Sequence, residues 1–591
     1  MKEQVLSAVD RSFYATLKVT LTGGFLLIFS SVAQAVTYYT AVAAGDATEN
    51  SAILWTRTVD SDSNVGVVTN LKVELSTDSK FRRILRTFYG RTNAARDYTL
   101  KINATGLRKN TKYYYRFRSS DGSLSPIGEF KTAPAPTERV PVEFAFSGDA
   151  DGRWRPYPLT QDFYKLKLDF FVFLGDTMYE TEAKGSPAAT DPFTDLHQAL
   201  EDYHRKYREN LEAVTADGEA VLNGDFSSLK TLYASQGMYT ILDNHELGNK
   251  QFINGGAAPG TPPGRGVDPT NPANDANNTD EFINKTEGFR VLLQAYSDYH
   301  PIREKIVFSS DARTNNTQQL YYAQQWGANV IFINLDDRSY RDIRLKKPDG
   351  TDDTGPRADN PQRTMLGKTQ LQWFKQVLLE AQAKNIPWKI VAISSPIDEV
   401  GEDGGKSWIG GYRAERNEIL KFIADNRIEN VVFLSTDDHQ NRINELTYFS
   451  DPNNPNSRSV VPGALTIVAG PIGAGGPDAI ADHSFSNVKS IADKLVEAEI
   501  ARGIDPIGLD PGFPGLQNVF REGDPNADTL RQPVDFYSPD TFNYAVLKVS
   551  KNGKTLSVDV YGIDSYAANT FLTPSQTGKP RRILGFQIQR K

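Results

Sequence analysis

Four apolar segments of this chain, each long enough for a buried strand, run directly into acidic, amide or imidazole side chains. They occupy residues 142–149, 169–179, 238–246 and 431–439. Segments that are apolar on both faces are typical of the central strands of a layered α/β domain. Loops at the carboxyl ends of such strands build the functional site. The pattern therefore predicts a cluster of oxygen and imidazole ligands that suits a pair of metal ions.

The length and charge of the chain limit what kind of protein it can be. At 591 residues it is too long for a single hydrophobic core, so two domains with insertions are expected. Charged residues make up 24% of the chain and the formal net charge is −7, which leaves no basic surplus for a nucleic-acid backbone. Nucleic acid is therefore not predicted as an obligate partner. Small phosphorylated substrates remain compatible, because a local metal site outweighs a mildly acidic surface.

The chain contains no cysteine. This excludes thiolate zinc sites, cysteine nucleophiles, iron–sulfur clusters and disulfide bonds. Any metal site must then be built from oxygen and imidazole ligands.

The N-terminus has the pattern of a secretory signal. Basic residues precede an apolar run at 19–32, and Ala-Gln-Ala at 33–35 supplies a small-x-small cleavage site. The run is short for a membrane span, although a retained N-terminal anchor is the alternative. We expect a signal peptide over 1–35, no membrane span after its cleavage, and an exported protein in the periplasm or outside the cell.

Residues 36–133 have the texture of an all-β sandwich. Short alternating segments separated by turn residues lie at 51–57, 71–75 and 112–117. The last of them resembles the late-strand signature of fibronectin type III domains. Two prolines within 132–137 predict a linker to the next domain.

Residues 138–591 alternate between apolar strands and helical periodicity, which predicts a catalytic α/β domain. Strands are predicted at 330–336 and 388–394, and helices at 203–211, 370–384 and 414–426.

Two parts of this domain are predicted as additions to its core. Residues 255–280 are dominated by Gly, Pro, Asn, Asp and Ala, which predicts a mobile loop whose root lies near the site. Beyond Pro477, we expect a helix at 492–504 and strands at 543–549 and 555–561. These strands are predicted to complete the second sheet, after an insertion at about 478–538.

The sequence Gly-Asp-Thr-Met-Tyr at 175–179 is the strongest motif. The Asp176 carboxylate, at a strand end, can bridge two cations, and the phenolate of Tyr179 can reach one of them and favours ferric iron. Asp149 and Asp151 form the next candidate, with Asp149 nearer the strand end. A simple Asp-Gly turn is the alternative for that pair.

Histidines follow two of the apolar strands. Asn244 offers an amide oxygen, and His245 can donate a proton to a phosphate or to its leaving group. Asp437 and His439 are two residues apart, so in an extended segment their side chains can lie on the same face. A buried structural histidine is the alternative in each case.

At this point the chain resembles a known superfamily. Gly-Asp-x-x-Tyr, Asn-His-Glu and a late acidic-x-His are signatures of calcineurin-like metallophosphoesterases, and segments at 335–341, 366–373 and 408–416 resemble the PhoD-like alkaline phosphatase branch. The resemblance covers most of residues 140–450. It implies a four-layer α/β/β/α metallophosphoesterase domain after the N-terminal all-β sandwich of fibronectin III or Ig type.

The same resemblance implies an activity and its residues. We expect phosphate mono- and diesters to be hydrolysed by a metal-bound hydroxide, with Asp176 and His245 catalytic and with a monomeric protein acting on small-molecule substrates. By their residue type, Arg338 and Arg205 can clamp phosphate oxygens, and a structural ion pair is the alternative for each. Fe³⁺ and Ca²⁺ are the expected metals, with Zn²⁺, Mn²⁺ or Mg²⁺ as alternatives. The expected metal ligands are Asp149, Asp176, Tyr179, Asn244, Asp437 and His439.

Departures from the branch pattern leave alternatives open. PhoD-like proteins often place a cysteine ligand where Asp149 stands, and Asp149, Asn244 and Tyr179 together look more like purple acid phosphatases. One alternative is therefore a monoesterase of that kind. The other is a non-enzymatic exported binding protein with a degenerate site.

Overall fold

Two large β-sheets carry the elements that position the candidate site. The computed structural model describes residues 36–214, 220–221, 228–248, 282–342, 344–345, 347, 351–358, 360–398, 400, 404–451, 454–476, 485–501, 507–521 and 536–590. The predicted signal peptide (1–35), the loop at 255–280 and parts of the predicted insertion at 478–538 lie outside these residues. Residues 36–591 form one compact unit.

The strands and helices are as follows. The strands are β1 (Thr37–Gly45), β2 (Ser51–Asp60), β3 (Asn70–Ser76), β4 (Arg86–Arg91), β5 (Thr99–Thr105), β6 (Lys112–Ser119), β7 (Gly128–Lys131), β8 (Val142–Ser147), β9 (Phe170–Phe173), β10 (Ala213–Val214), β11 (Ala220–Val221), β12 (Gly237–Thr240), β13 (Tyr322–Trp326), β14 (Val330–Asn334), β15 (Trp388–Ala392), β16 (Val431–Ser435), β17 (Asn441–Phe449), β18 (Arg458–Val468), β19 (Leu516–Arg521), β20 (Tyr537–Ser538), β21 (Thr541–Val549), β22 (Thr555–Asp564) and β23 (Arg581–Gln589). The helices are α1 (Leu196–Leu211), α2 (Ser228–Ser235), α3 (Glu287–Tyr299), α4 (Lys368–Ala383), α5 (Trp408–Gly411), α6 (Arg413–Asp425), α7 (Phe485–Ala501) and α8 (Pro574–Thr577).

The first large sheet has the strand order β19-β23-β22-β21-β8-β9-β12-β1-β2-β5. Strands β8, β9, β12 and β1 are parallel neighbours, so their carboxyl ends lie at one edge of the sheet. Strand β1 continues this sheet, because Gly45 pairs with Met238 of β12. The N-terminal β-rich segment is thus hydrogen-bonded to the strands that follow it.

The second large sheet has the order β13-β14-β15-β16-β18-β17-β20. Apolar side chains of both large sheets meet in one core, with Phe146 and Val172 from the first and Phe332 and Val432 from the second. Helices α1 and α3 bury apolar residues against the first sheet, and α4 and α6 against the second. The strands are apolar on both faces because each sheet is covered on both sides.

The remaining four-stranded sheet, β4-β3-β6-β7, belongs to the N-terminal segment. Its Val73 and Tyr115 share a core with Tyr39 of β1 and Leu54 of β2. This part of the chain therefore has two β-layers around one core, as its alternating pattern predicts.

The prediction for the C-terminal strands is wrong in one respect. Strands β21 and β22 form where predicted but join the first large sheet, where β21 pairs antiparallel with β8 from Ala545↔Phe146 to Val549↔Val142. Alternate residues of β21, such as Leu547, thereby enter the core between the two sheets.

Within the described part of the chain, no helix has both the length and the apolar character that a membrane crossing needs.

Candidate metal centre

The candidate ligands follow strands whose carboxyl ends face one another across the two sheets. Asp149 follows β8, Asp176 follows β9 and Asp243 follows β12, each within three residues of the strand end. Asp437 comes two residues after β16 of the second sheet. Carboxyl edges of parallel strands are where α/β domains build their sites, so the four carboxylates converge for a topological reason.

The backbone at these positions is in the left-handed region. The φ angles are 61° at Asp149, 49° at Asp176, 70° at Asp437 and 55° at His439. Non-glycine residues adopt such values rarely, and each costs on the order of 1 kcal/mol or more. Four such residues at strand ends that meet in space indicate that the turns serve side-chain placement.

The first ligand group comprises Asp149, Asp176 and His439. One ligand atom from each lies within 4.8 Å of the others. His439 Nε2 is 3.6 Å from Asp149 Oδ1. The Tyr179 hydroxyl is 2.9 Å from the same His439 nitrogen, and ligation by this phenol stays a prediction.

The second ligand group comprises Asp176, Asp243 and Asp437, again with one atom from each within 4.8 Å of the others. Asp176 is common to both groups, as a bridging carboxylate must be. Asn244 is buried beside them, and its backbone N–H donates to Asp243 Oδ1 at 2.8 Å. Ligation by the Asn244 side chain stays a prediction.

The electrostatics of the cluster favour a cation. Burial raises the pKa of Asp149 well above its ordinary value, and burial together with neighbouring carboxylates does the same for Asp176. Burial alone would also raise the pKa of Asp437, but the positive charges of Lys406 and Arg338 lower it below its ordinary value. A bound multivalent cation stabilises such a set of buried carboxylates in the charged form.

One buried carboxylate oxygen has the surroundings that suit a metal ligand. Asp149 Oδ2 accepts a hydrogen bond from the Thr436 hydroxyl. Asp149 Oδ1 is buried and accepts no hydrogen bond from any described residue. A buried polar atom of this kind calls for a partner, and a hard cation suits a carboxylate oxygen.

His245 is held at the edge of the cluster. Its Nδ1 is 2.5 Å from Glu180 Oε2, and its Nε2 is 3.9 Å from Asp176 Oδ2. Its ring stacks on Tyr179 with the centroids 3.7 Å apart. The backbone N–H of His245 donates to Asp176 Oδ1 at 2.9 Å. Nε2 is therefore the ring nitrogen that faces the carboxylates.

Glu246 ties two of the ligand-bearing loops together. Its Oε2 accepts from the backbone N–H of Asp176 and of Asp243, both at 3.0 Å. Its Oε1 accepts from the backbone N–H of Thr177 at 2.6 Å and from the Thr177 hydroxyl at 2.8 Å. The loops after β9 and β12 are thus fixed by one buried carboxylate.

Asp151, the second member of the Asp149/Asp151 candidate pair, has a structural role. It caps the 3₁₀-helix Gly152–Trp154 and accepts from the Arg153 guanidinium at 2.6 Å and 2.9 Å. Of the two aspartates, Asp149 is the one that enters a ligand group.

The two predicted phosphate clamps are both engaged with protein oxygens. Arg338 is fully buried, and its Nη2 lies 2.5 Å from Asp243 Oδ1 and 2.9 Å from Asp437 Oδ2. Arg205, on α1, contacts Glu209 Oε1 at 2.9 Å. Contact of either side chain with a substrate phosphate stays a prediction.

Sequence reasoning missed three residues of the centre. Asp243 stands first in the Asp-Asn-His-Glu motif and directly after an apolar strand, so its position carried a signal. Glu180 follows the tyrosine of the Gly-Asp-x-x-Tyr motif, but its bond to His245 depends on tertiary contact. The same holds for Glu246 and its two loops.

Comparison with known protein families establishes the family of this chain. The sequence model of the family described as PhoD-like phosphatase matches residues 147–500, and that of the PhoD-like phosphatase N-terminal domain matches residues 30–134. The chain belongs to the PhoD-like phosphatase family. The resemblance seen in the motifs is thereby confirmed.

Individual relatives agree with this assignment. Alkaline phosphatase D of Bacillus subtilis (strain 168) is 29% identical over 423 residues, which cover 67% of this chain and 64% of that protein. The match thus spans slightly less than two thirds of the curated relative's length. A solved structure of PhoD aligns with a TM-score of 0.65 and 22% identity, covering 93% of this chain and 90% of that one, which shows a shared fold.

A purple acid phosphatase, PPD1 from yellow lupin (Lupinus luteus) seeds, aligns with a TM-score of 0.46 and 11% identity. That alignment covers 94% of this chain and 75% of the lupin protein. A score below 0.5 does not establish a common fold.

Proposed function

We propose that this PhoD-like chain is a metal-dependent hydrolase of phosphate esters that acts on small-molecule mono- and diesters. The observation that carries the proposal is the pair of ligand groups that share Asp176 at the carboxyl ends of parallel strands. Paired metal sites of oxygen-rich ligands suit in-line displacement at phosphorus. The name of the Bacillus relative, alkaline phosphatase D, points to the same chemistry.

The chain offers ligands for two metal ions. Asp176 would bridge them. Asp149, Tyr179 and His439 would complete one site, and Asp437, Asn244 and the newly found Asp243 would contribute to the other. Bound there, the metals would supply Lewis acidity toward the phosphoryl group and the attacking water. Fe³⁺ at the tyrosine side and Ca²⁺ at the all-oxygen side fit the donors, with Zn²⁺, Mn²⁺ and Mg²⁺ as the other candidates.

The protein's own contribution to the reaction centres on His245. The 2.5 Å contact between His245 Nδ1 and Glu180 Oε2 fixes the orientation of the imidazole ring. His245 Nε2, which faces the carboxylate cluster, then supplies a proton to the departing ester oxygen. The His245 N–H also holds Asp176 Oδ1, so one short segment places both the bridging carboxylate and the proton donor.

The proposal extends to architecture and location. Residues 1–35 would be a cleaved signal, 36–133 a sandwich of fibronectin III type, and 138–591 a four-layer α/β/β/α domain. The two facing sheets with helices outside each support that layering. Export to the periplasm or the cell exterior, a monomeric state and no obligate nucleic acid complete the proposal.

Asp176→Asn is the direct test of the activity. The substitution keeps the shape of the side chain but removes the charge shared by both groups, so hydrolysis should fall at least 100-fold. The assay is release of 4-nitrophenol from 4-nitrophenyl phosphate and its bis-ester with Fe³⁺ and Ca²⁺ present. Asp62→Asn, at an exposed aspartate, is the matched control and should retain full activity.

The outcomes separate the alternatives. Hydrolysis of both esters supports the PhoD-like activity, whereas hydrolysis of the monoester alone would support a purple-acid-phosphatase-like enzyme. Unchanged turnover by Asp176→Asn would contradict the assigned centre. No turnover by the wild-type protein would favour the non-enzymatic binding protein.

A further inference from the structure

The segment 470–475, which follows β18, runs along the loop that carries one of the candidate metal ligands. The Ile472 N–H donates to the Gly148 carbonyl at 2.7 Å, and the Gly473 N–H donates to the Asp149 carbonyl at 3.0 Å. These two backbone hydrogen bonds hold the turn in which Asp149 has its positive φ. The position of that ligand therefore depends on the position of the segment.

The far end of the segment orients a second ligand. His439 Nδ1 donates to the Gly475 carbonyl. Because a carbonyl oxygen only accepts, Nδ1 carries the hydrogen, and Nε2 is the ring nitrogen that faces Asp149. Histidine ligands of metal ions are commonly oriented by a hydrogen bond of this kind from the other ring nitrogen.

Gly470, at the start of the segment, lies directly against the Asp149 carboxylate. A Cβ atom at this position would be 2.8 Å from Asp149 Oδ2 and 2.7 Å from Thr436 Oγ1, closer than Cβ atoms come to other atoms in proteins. The φ of Gly470 is 135°, which side chains rarely allow. The close contact between the segment and the carboxylate thus requires glycine.

One asparagine of the C-terminal part of the chain holds this segment in place. Asn543 of β21 is fully buried; its Oδ1 accepts from the Gly470 N–H at 3.0 Å, and its Nδ2 donates to the Gly470 carbonyl at 2.8 Å. Its backbone N–H donates to the Pro471 carbonyl at 3.1 Å. Its backbone carbonyl accepts from the Ser147 hydroxyl, at the end of β8, at 2.8 Å. Asn543 therefore joins the end of β8 to the segment 470–475.

We propose that Asn543 is a positioning residue for the first ligand group, acting through the segment 470–475 on Asp149 and His439. Asn543 belongs to neither ligand group, so it acts by setting where the ligands stand. Without its side chain, the N–H and the carbonyl of Gly470 lose their partners and the segment is released. The inference rests on the proposed metal centre, since a positioning role needs metal ligands to position.

Asn543→Ala tests this role by equilibrium dialysis against a series of metal concentrations, which does not depend on hydrolysis. The wild-type protein should bind two metal ions. The variant should bind one of them at least tenfold more weakly, because two ligands of the first group are displaced. The ion of the second group, held by Asp243 and Asp437 on other strands, should bind as in the wild type. Gly470→Ala, which pushes on the Asp149 carboxylate directly, should give the same loss at one site.

Two matched controls separate positioning from general stability. Asn329, at the amino end of β14, is also fully buried, and its Nδ2 donates to the Val140 carbonyl at 3.2 Å and the Lys551 carbonyl at 2.9 Å. Asn329→Ala should lower the melting temperature of the metal-free protein about as much as Asn543→Ala, yet leave both metal affinities unchanged. Gly463→Ala is the control for Gly470→Ala, because Gly463 has a φ of 72° and no atom within 4 Å of an added Cβ.

The possible results each decide the question. Wild-type affinity at both sites in Asn543→Ala or in Gly470→Ala would overturn the proposal. An equal loss of affinity in Asn329→Ala would overturn it as well, because the loss would then follow from destabilisation alone. A wild-type protein that binds no metal would overturn the proposed function together with this inference, and that result is distinct from the other two.

Discussion

At the scale of single residues, the centre depends on buried cations that offset part of the negative charge of its carboxylates. Arg338 is the clearest case, because its guanidinium is fully buried between the carboxylates of Asp243 and Asp437. Its Nε also donates to the Ser394 hydroxyl at 3.1 Å. A buried cation in this place holds two carboxylates of the second ligand group at a fixed separation.

Removing that cation should destabilise the protein. Arg338→Met leaves two buried carboxylates without their partner, and breaking a buried ion pair costs about 3–5 kcal/mol. Urea unfolding of chelator-treated protein at pH 8 measures the loss. Arg82→Met is the matched control, since Arg82 forms an exposed pair with Asp78 and its loss should not be measurable. Equal stability of the two variants would show that Arg338 does not balance the cluster.

At the scale of elements, the centre is held by links between loops of different strands. Glu246 connects the loop after β9 to the loop after β12 through four hydrogen bonds. It lies outside both ligand groups but fixes the backbone of Asp176 and Asp243. Residues that orient metal ligands in this way commonly affect metal affinity as strongly as some ligands do.

Glu246→Ala should therefore weaken metal binding by about 10–100-fold without removing a ligand. Equilibrium dialysis against a series of metal concentrations measures the affinity. Glu201→Ala, at an exposed residue of α1, is the control and should bind metal like the wild-type protein. Wild-type affinity in Glu246→Ala would mean that the two loops keep their positions without this carboxylate.

The sequence predicts the elements of the site better than the links between them. Asp149, Asp176, Asp437 and His439, which the structure brings into the two ligand groups, each lie within four residues of the end of an apolar strand, and that position is a local signal. The hydrogen bonds of Glu246 and the burial of Arg338 depend on how distant segments meet, and local periodicity does not report that.

At the scale of the whole molecule, the same limit applies to the sheets. Helical periodicity at 370–384 and 414–426 predicts α4 and α6 closely, because an amphipathic helix is encoded within its own residues. The pairing of β1 with β12, and of β21 with β8, joins segments far apart in the chain. The alternation of apolar and polar residues does not identify which strand a given strand pairs with. The pairing of β21 with β8 could therefore not be predicted from the sequence.

The metal content of the purified protein tests the central claim most directly. Elemental analysis after extensive dialysis should find about two metal ions per wild-type chain, because Asp176 is shared by two ligand groups. Asp176→Asn should lose most of that metal while Asp62→Asn keeps it. A wild-type protein without stoichiometric metal, or an Asp176→Asn variant with the same content as wild type, would contradict the account.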